Sequence, residues 1–152
     1  GIRFPSWMPL SDCMDVGTEL DVSISPRVSR FQIFADPMLP KVFDNLYQNS
    51  LRYGGSIRQV QVDALETPDG LSIVWQDDGR GVPEKHKEAI FQRGFGNNTG
   101  LGLFLAQNIL DITDITIKEC GVEGEGARFE MLVPSANYRL VHEKPQDDST
   151  NR

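Results

Sequence analysis

The run Leu71-Ser72-Ile73-Val74-Trp75-Gln76-Asp77-Asp78-Gly79-Arg80-Gly81-Val82-Pro83 changes character halfway along. Leu71, Ile73 and Trp75 alternate with their neighbours, the period of a strand with one buried face. Two glycines and a proline then end the alternation, so the strand delivers Asp77 to an abrupt turn where backbone can approach a ligand closely. A carboxylate at such a point can accept a hydrogen bond from an exocyclic amine, and charge-assisted bonds of that kind contribute roughly 1.5–3 kcal/mol. Taken alone, the same residues also describe a glycine turn beside an ordinary surface aspartate.

Upstream, Thr67-Pro68-Asp69-Gly70 is a turn in which Pro presets one torsion and Gly supplies positive φ. It joins the Leu71 strand to a second alternating stretch, Ile57 to Leu65, through Val60, Val62 and Ala64. Before this hairpin, Leu39, Val42, Phe43 and Leu46 recur at helical spacing. They predict a helix from about Pro37 to Tyr53, with Asp36 as its cap and Gly54-Gly55 as its stop. Asp21–Ile24 and Val28–Ala35 read as extended, broken at Pro26, and Trp7 to Leu20 predicts a short helix after Pro9. Downstream, Glu84 to Phe91 reads as a short helix, Phe95 to Gly100 as a loop and Leu101 to Leu110 as a helix. Ile115–Lys118 and Ala127–Val133 are strands joined by the glycine-rich turn at 121–126. About three helices on one face of a mixed, mostly antiparallel sheet make an α/β two-layer sandwich the economical architecture. The domain is expected over 1–136, with a polar, disordered tail over 137–152.

The chain has 152 residues, enough for one core and hard to divide into two. Its formal charge of −7 disfavours a general nucleic-acid binder, so a polyanionic ligand must be held by local cations and oriented backbone dipoles. No stretch has the length of a bilayer span, which argues against direct membrane contact, and Gly1-Ile2-Arg3-Phe4-Pro5 does not open a signal peptide. Two cysteines, Cys13 and Cys120, fit a reducing compartment and inert thiols, and with two distant histidines they do not supply a zinc site.

Two further patterns carry chemistry. Asn45, Asn49, Arg52 and Tyr53 stand at i, i+4, i+7 and i+8 of the first long helix, on one stripe beside the apolar one. An Asn oxygen can enter a Mg²⁺ shell beside waters and phosphate oxygens. A guanidinium neutralises phosphate, and a phenol ring can lie on a base. Thr99-Gly100-Leu101-Gly102-Leu103 opens the later helix, where free N–H groups and the positive dipole end can seat phosphates. The spacing is neither a Walker loop nor a dinucleotide fingerprint. Each pattern alone also has a plain structural reading, as a solvated face or a loop entering a packed helix. In this order they supply the parts of a Mg-nucleotide site.

Over roughly Trp7 to Pro134 the chain resembles the ATP-binding catalytic domain of sensor histidine kinases, in the group that includes DNA gyrase, MutL and heat-shock ATPase chaperones. The N-box matches Asp36 to Gly54, the first glycine box Asp77 to Pro83, the F-box Ile90 to Phe95 and the second glycine box Thr99 to Leu103. The resemblance implies ATP and Mg²⁺ as cofactors and a catalytic part for Asn49, through the metal, and for Arg52, beside the phosphates. It further implies Asn45 as a polar neighbour, Tyr53 beside adenine and Asp77 as acceptor of the adenine amine. Gly79, Gly81 and Val82 would allow close approach, Thr99, Gly100, Leu101, Gly102 and Leu103 would bind phosphates, and Phe91 and Phe95 would pack the base of the lid. Arg93 is a further phosphate candidate.

Gyrase-like relatives carry a Glu one helical turn before the metal-binding Asn, as general base for water. Here Asn45 holds that position, and an amide takes no proton. The resemblance therefore implies transfer of the γ-phosphoryl to a histidine on a separate dimerisation domain of the same parent kinase, with a response regulator downstream, in two-component signalling in the cytoplasm. His86 and His142 read as surface residues, not phosphoacceptors, so the chain reads as a module of a longer kinase whose parent can be membrane-attached. A nucleotide-sensing or docking module without transfer, and a serine kinase of the anti-sigma type, are the alternatives. The short Phe95–Gly100 segment and Asn98 in place of a glycine predict an open site and weak ATP affinity.

Overall fold

In the computed structural model, which describes residues 4–95 and 102–141, the predicted long helix is α1 (Leu39–Tyr53). Leu39, Val42, Phe43, Leu46, Tyr47 and Ser50 are buried on its inner stripe. Asp36 does act at its start, but α1 begins two residues later than expected. The Asp36 carboxylate accepts from the Met38 N–H at 2.8 Å and its carbonyl from the Leu39 N–H at 2.9 Å, so Pro37 and Met38 form a turn before the first helical residue. The Gly54 N–H closes the last turn on the Ser50 carbonyl, and Gly55 at φ +75° turns the chain away.

Eight strands accompany α1 among the described residues. They are β1 (Ser6–Pro9), β2 (Asp21–Ile24), β3 (Phe31–Ala35), β4 (Gln59–Thr67), β5 (Gly70–Asp77), β6 (Thr116–Glu119), β7 (Arg128–Val133) and β8 (Tyr138–Leu140). Five form a sheet of order β2-β4-β5-β7-β6, antiparallel except for β2 against β4. The β4–β5 hairpin turns at Pro68-Asp69 as the sequence predicts, with Thr67 opposite Gly70. The second helix, α2 (Gly102–Asp111), packs beside α1. Val60, Val62, Ala64, Ile73, Trp75, Phe129 and Met131 line one sheet face and share a single core with the inner stripes of α1 and α2. The other face carries Gln61, Asp63, Gln76, Arg128 and Glu130, and its Asp63 takes a two-pronged bond from Arg27. This is the expected α/β two-layer sandwich. Along β4 only one face is buried, which explains why it alternates so cleanly, whereas the central strand β5 is buried on both faces over most of its length.

Three local expectations are corrected. Trp7 to Leu20 holds a strand and one 3-10 turn, Leu10–Cys13, in place of a helix. Val28–Arg30 belong to a 3-10 turn, so β3 starts only at Phe31. Glu84 to Phe91 is two 3-10 turns rather than one helix. The boundary expected at 137 also falls too early. Tyr138–Leu140 pair antiparallel with β3, completing a three-stranded sheet of order β1-β3-β8. The expected tail beyond Val141 lies outside the described residues.

Cys13 and Cys120 are free thiols. Burial, helped by Asp12, pushes the Cys13 thiol up to about 12, whereas Cys120 is exposed. No helix among the described residues is long and apolar enough to cross a membrane.

Asp78 pins the start of β4 to the turn after β5, accepting from the N–H groups of Arg58 at 2.9 Å and Gln59 at 3.2 Å. The Arg58 N–H foremost holds its carboxyl below the usual carboxylate range. The resulting stabilisation is complete above the unfolded value of about 3.9 and is lost as pH falls through the lower folded value. Asp78→Asn should therefore flatten the acid side of a Tm-against-pH curve below about pH 4, read by circular dichroism. Identical acid slopes for the two proteins would refute this.

Candidate functional site

The turn that ends β5 is held from both sides by backbone. On one side the Arg80 N–H donates to the Gly54 carbonyl at 2.9 Å, and a Cβ on Gly79 would meet that same oxygen at 2.3 Å. On the other side the Gly124 N–H donates to the Arg80 carbonyl at 2.7 Å. Gly81, at φ +76°, lies so close to the 121–126 turn that its Cβ would sit 2.9 Å from the Val122 carbonyl. The close approach read from these glycines is thus first an approach of the chain to itself. Gly126 follows the same logic, with φ +130° and 2.0 Å from a built Cβ to the Asp77 carbonyl.

Asp77 is only 3% exposed. Its Oδ1 accepts from the Gly79 N–H at 3.0 Å and the Ala127 N–H at 2.9 Å, and its Oδ2 accepts from the Ser50 hydroxyl at 2.9 Å. One carboxylate therefore joins α1, the β5 turn and the approach to β7. Just beyond, Lys87 reaches the buried Glu119 carboxylate and the Gly121 carbonyl, while Glu119 also accepts from the Gly121 and Arg128 N–H groups. This ion pair fastens the segment after the glycines to the β6–β7 turn. Its charges are kept by several hydrogen bonds at once, as buried ions require.

Above this scaffold lies a cavity of about 610 Å³. The α1 stripe lines it with Asn45, Asn49, Arg52 and Tyr53, the turn with Gly81 and Val82, and the start of α2 with Gly102 and Leu103. The structure therefore brings most of the sequence-selected residues to one opening. Asn45 does more than line it: its amide donates to the Gly102 carbonyl at 2.9 Å and so ties α1 to the first residue of α2. Asp77 and Gly79 do not line the cavity and sit beneath it. Phe91 is placed in the core, 7% exposed and edge-on to Phe129, so it does not line the cavity either. Arg93 turns its guanidinium to the Phe104 ring, 5.9 Å from its centre. Thr99, Gly100, Leu101, Asn98 and His142 lie outside the described residues.

Lys41, Gln48, Arg80 and His86 also line the opening and were not picked out for it in the sequence. Arg80 had a signal, since it stands between the two glycines, and a Cβ on Gly55 would meet the edge of its guanidinium at 3.3 Å. His86 is not a plain surface residue: it is half-buried, with its ring edge-on to Phe95 at 5.4 Å between centroids. Lys41 pairs with Asp44 at the rim, and nothing in the helical period distinguishes it from a solvated lysine.

The donor set decides which metal could enter. No group of three His, Cys, Asp or Glu side chains that could hold an ion occurs among the described residues. A lone amide oxygen from Asn49 suits Mg²⁺, which keeps waters and takes its other ligands from phosphates. It does not suit zinc or a calcium cage.

A protein-family model described as histidine kinase-, DNA gyrase B- and HSP90-like ATPase matches residues 36–137. The chain is 37% identical over 119 residues to the sensor histidine kinase ZraS of Escherichia coli O157:H7, covering 76% of this chain and 25% of that protein. It is 30% identical over 141 residues to the sensor protein PhoQ of Escherichia coli K12, covering 87% of this chain and 26% of that protein. The chain thus spans about a quarter of the length of these curated relatives. Among solved structures, the ATP-binding domain of PrrB from Mycobacterium tuberculosis superposes with a TM-score of 0.70 at 26% identity, covering 86% of this chain and 97% of that one.

The glycine contacts separate scaffold from opening. Gly79→Ala must push the β5 turn off α1, and should cost about 1–3 kcal/mol in urea unfolding. Gly102→Ala meets only the Asn45 side chain, at 3.9 Å, and should stay within about 0.5 kcal/mol of the unsubstituted chain. Equal losses for the two would contradict the assignment.

Proposed function

We propose that this chain, which belongs to the family of histidine kinase-, DNA gyrase B- and HSP90-like ATPases, binds Mg-ATP and presents its γ-phosphoryl to a histidine on a separate dimerisation domain of the same parent kinase. One observation carries the reading. The amide–guanidinium–phenol stripe of α1, the β5 turn and the start of α2, distant in sequence, line a single cavity. In this reading the domain works in the cytoplasm and a response regulator takes the phosphoryl group onward.

Tyr53 lies beside adenine, over the buried Asp77 that accepts from the adenine amine. Gly81 and Val82 let the base and ribose come close to backbone. Arg52 neutralises phosphate charge, and the N–H groups at Gly102 and Leu103, at the positive end of α2, receive phosphate oxygens. Asn49 would hold Mg²⁺ through its side-chain oxygen. A metal held there would supply positive charge that offsets the charge of the phosphates, and catalysis then rests on positioning and electrostatics. Thr99, Gly100 and Leu101, outside the described residues, would add to the phosphate-binding groups. Asn45 cannot accept the proton of an attacking water, and its amide is committed to the Gly102 carbonyl. Hydrolysis is therefore slow, and the phosphoryl group is kept for an imidazole.

Equilibrium titration tests binding. Chelation of Mg²⁺ should weaken ATP binding by more than about tenfold, and Asn49→Ala should remove most of that metal dependence. Affinity indifferent to chelation would overturn the metal assignment. Transfer is tested by adding a histidine-bearing dimerisation domain and γ-labelled ATP. An acid-labile label is expected. An acid-stable label would point to a serine kinase instead, and no label at all to a binding module.

A further inference from the structure

Ser50 stands on the apolar stripe of α1, next in sequence to Asn49, and is 1% exposed. A hydroxyl so placed is costly unless bonded on both sides. Trp75, fully buried, supplies one side: its indole N–H can only donate, and it donates to the Ser50 Oγ at 3.1 Å. The hydroxyl proton is then left for the Asp77 Oδ2, 2.9 Å away. The direction of the chain Trp75 to Ser50 to Asp77 is thereby fixed. A carboxylate offers about four lone-pair positions. Gly79 and Ala127 occupy those of Oδ1 and Ser50 one of Oδ2, which leaves a single acceptor position on Oδ2.

We propose that Ser50 is a positioning residue that sets base specificity: together with Trp75 it holds the Asp77 carboxylate so that one acceptor position reads a 6-amino purine and rejects a 6-oxo purine. The inference rests on the reading of Asp77 as acceptor of the base amine. An amine satisfies the remaining lone pair. A 6-oxo group sets a second acceptor against it, and with Oδ1 and half of Oδ2 already occupied the carboxylate cannot turn to escape. Without the Ser50 hydroxyl, Oδ2 has two open positions and the carboxylate loses one of its three anchors. A water can then enter and donate one hydrogen to Asp77 and the other to a 6-oxo group. Discrimination falls, although Ser50 itself touches no ligand.

The test is calorimetric titration of the whole chain, Ser50→Ala and Ser50→Thr with Mg-ATP and with Mg-inosine triphosphate, which differs by a carbonyl at C6. The unsubstituted chain should prefer ATP. Ser50→Ala should lose about tenfold in ATP affinity and less for the inosine nucleotide, narrowing the preference, while Ser50→Thr keeps the hydroxyl and the preference. Equal losses for both nucleotides in Ser50→Ala would overturn the proposal and leave the Asp77 reading standing. No preference in the unsubstituted chain would overturn both. Should Ser50→Ala fail to fold, the indole N–H resonance of Trp75 in the unsubstituted chain decides. A shift with ATP that the inosine nucleotide does not reproduce supports the relay, and equal responses overturn it.

Discussion

The buried carboxylate of Asp77 is the constraint on which the rest of the site depends. It takes up two backbone N–H groups and a serine hydroxyl from three separate parts of the chain, all away from water. Each of those donors, left unpaired in the interior, would cost on the order of 1–3 kcal/mol. The glycines follow from this. With α1 and the 121–126 turn both drawn to the end of β5, there is no room for a Cβ at Gly79 or Gly126, and Gly81 needs its positive φ to pass between them. The cavity is what remains open above the clamp.

Much of this arrangement was legible in the sequence because it rests on short periods. The α1 stripe, the alternation of β4 and the Pro68-Asp69 turn each declare themselves within about ten residues. What escaped is non-local. Tyr138–Leu140 have no periodicity to read, and they become a strand only because β3, about a hundred residues earlier, has a free edge. Glu84 to Phe91 carries helical spacing, but Lys87 is drawn to Glu119 across the fold, and the chain settles into two 3-10 turns. The glycine pairs signalled close approach correctly, yet spacing alone does not say whether the neighbour is a ligand or the chain's own backbone. Phe91 was legible as an aromatic in a motif, and its partner Phe129 was not.

The acidic surplus of the sequence is distributed unevenly. Lys41, Arg52 and Arg80 gather at the opening with the carboxylate of Asp44 among them, while Asp77 and Glu119 are buried and hydrogen-bonded away from it. A chain with a formal charge of −7 can in this way offer a polyanion a locally favourable entrance. Long-range repulsion remains, and added salt screens both effects over about 8–10 Å.

The small sheet bears on how the domain carries load. β1 and β8 both lie antiparallel to β3, on opposite sides of it. The chain starts β1 opposite Ala35 and leaves β8 opposite Phe31, at the two ends of the same central strand. Tension between those ends runs along β3, and the inter-strand hydrogen bonds, perpendicular to the strands, meet it in shear. In shear the bonds of a ladder must give way together, whereas in peeling they break one at a time. A pull applied at those two ends is therefore met by the whole ladder of β3 at once.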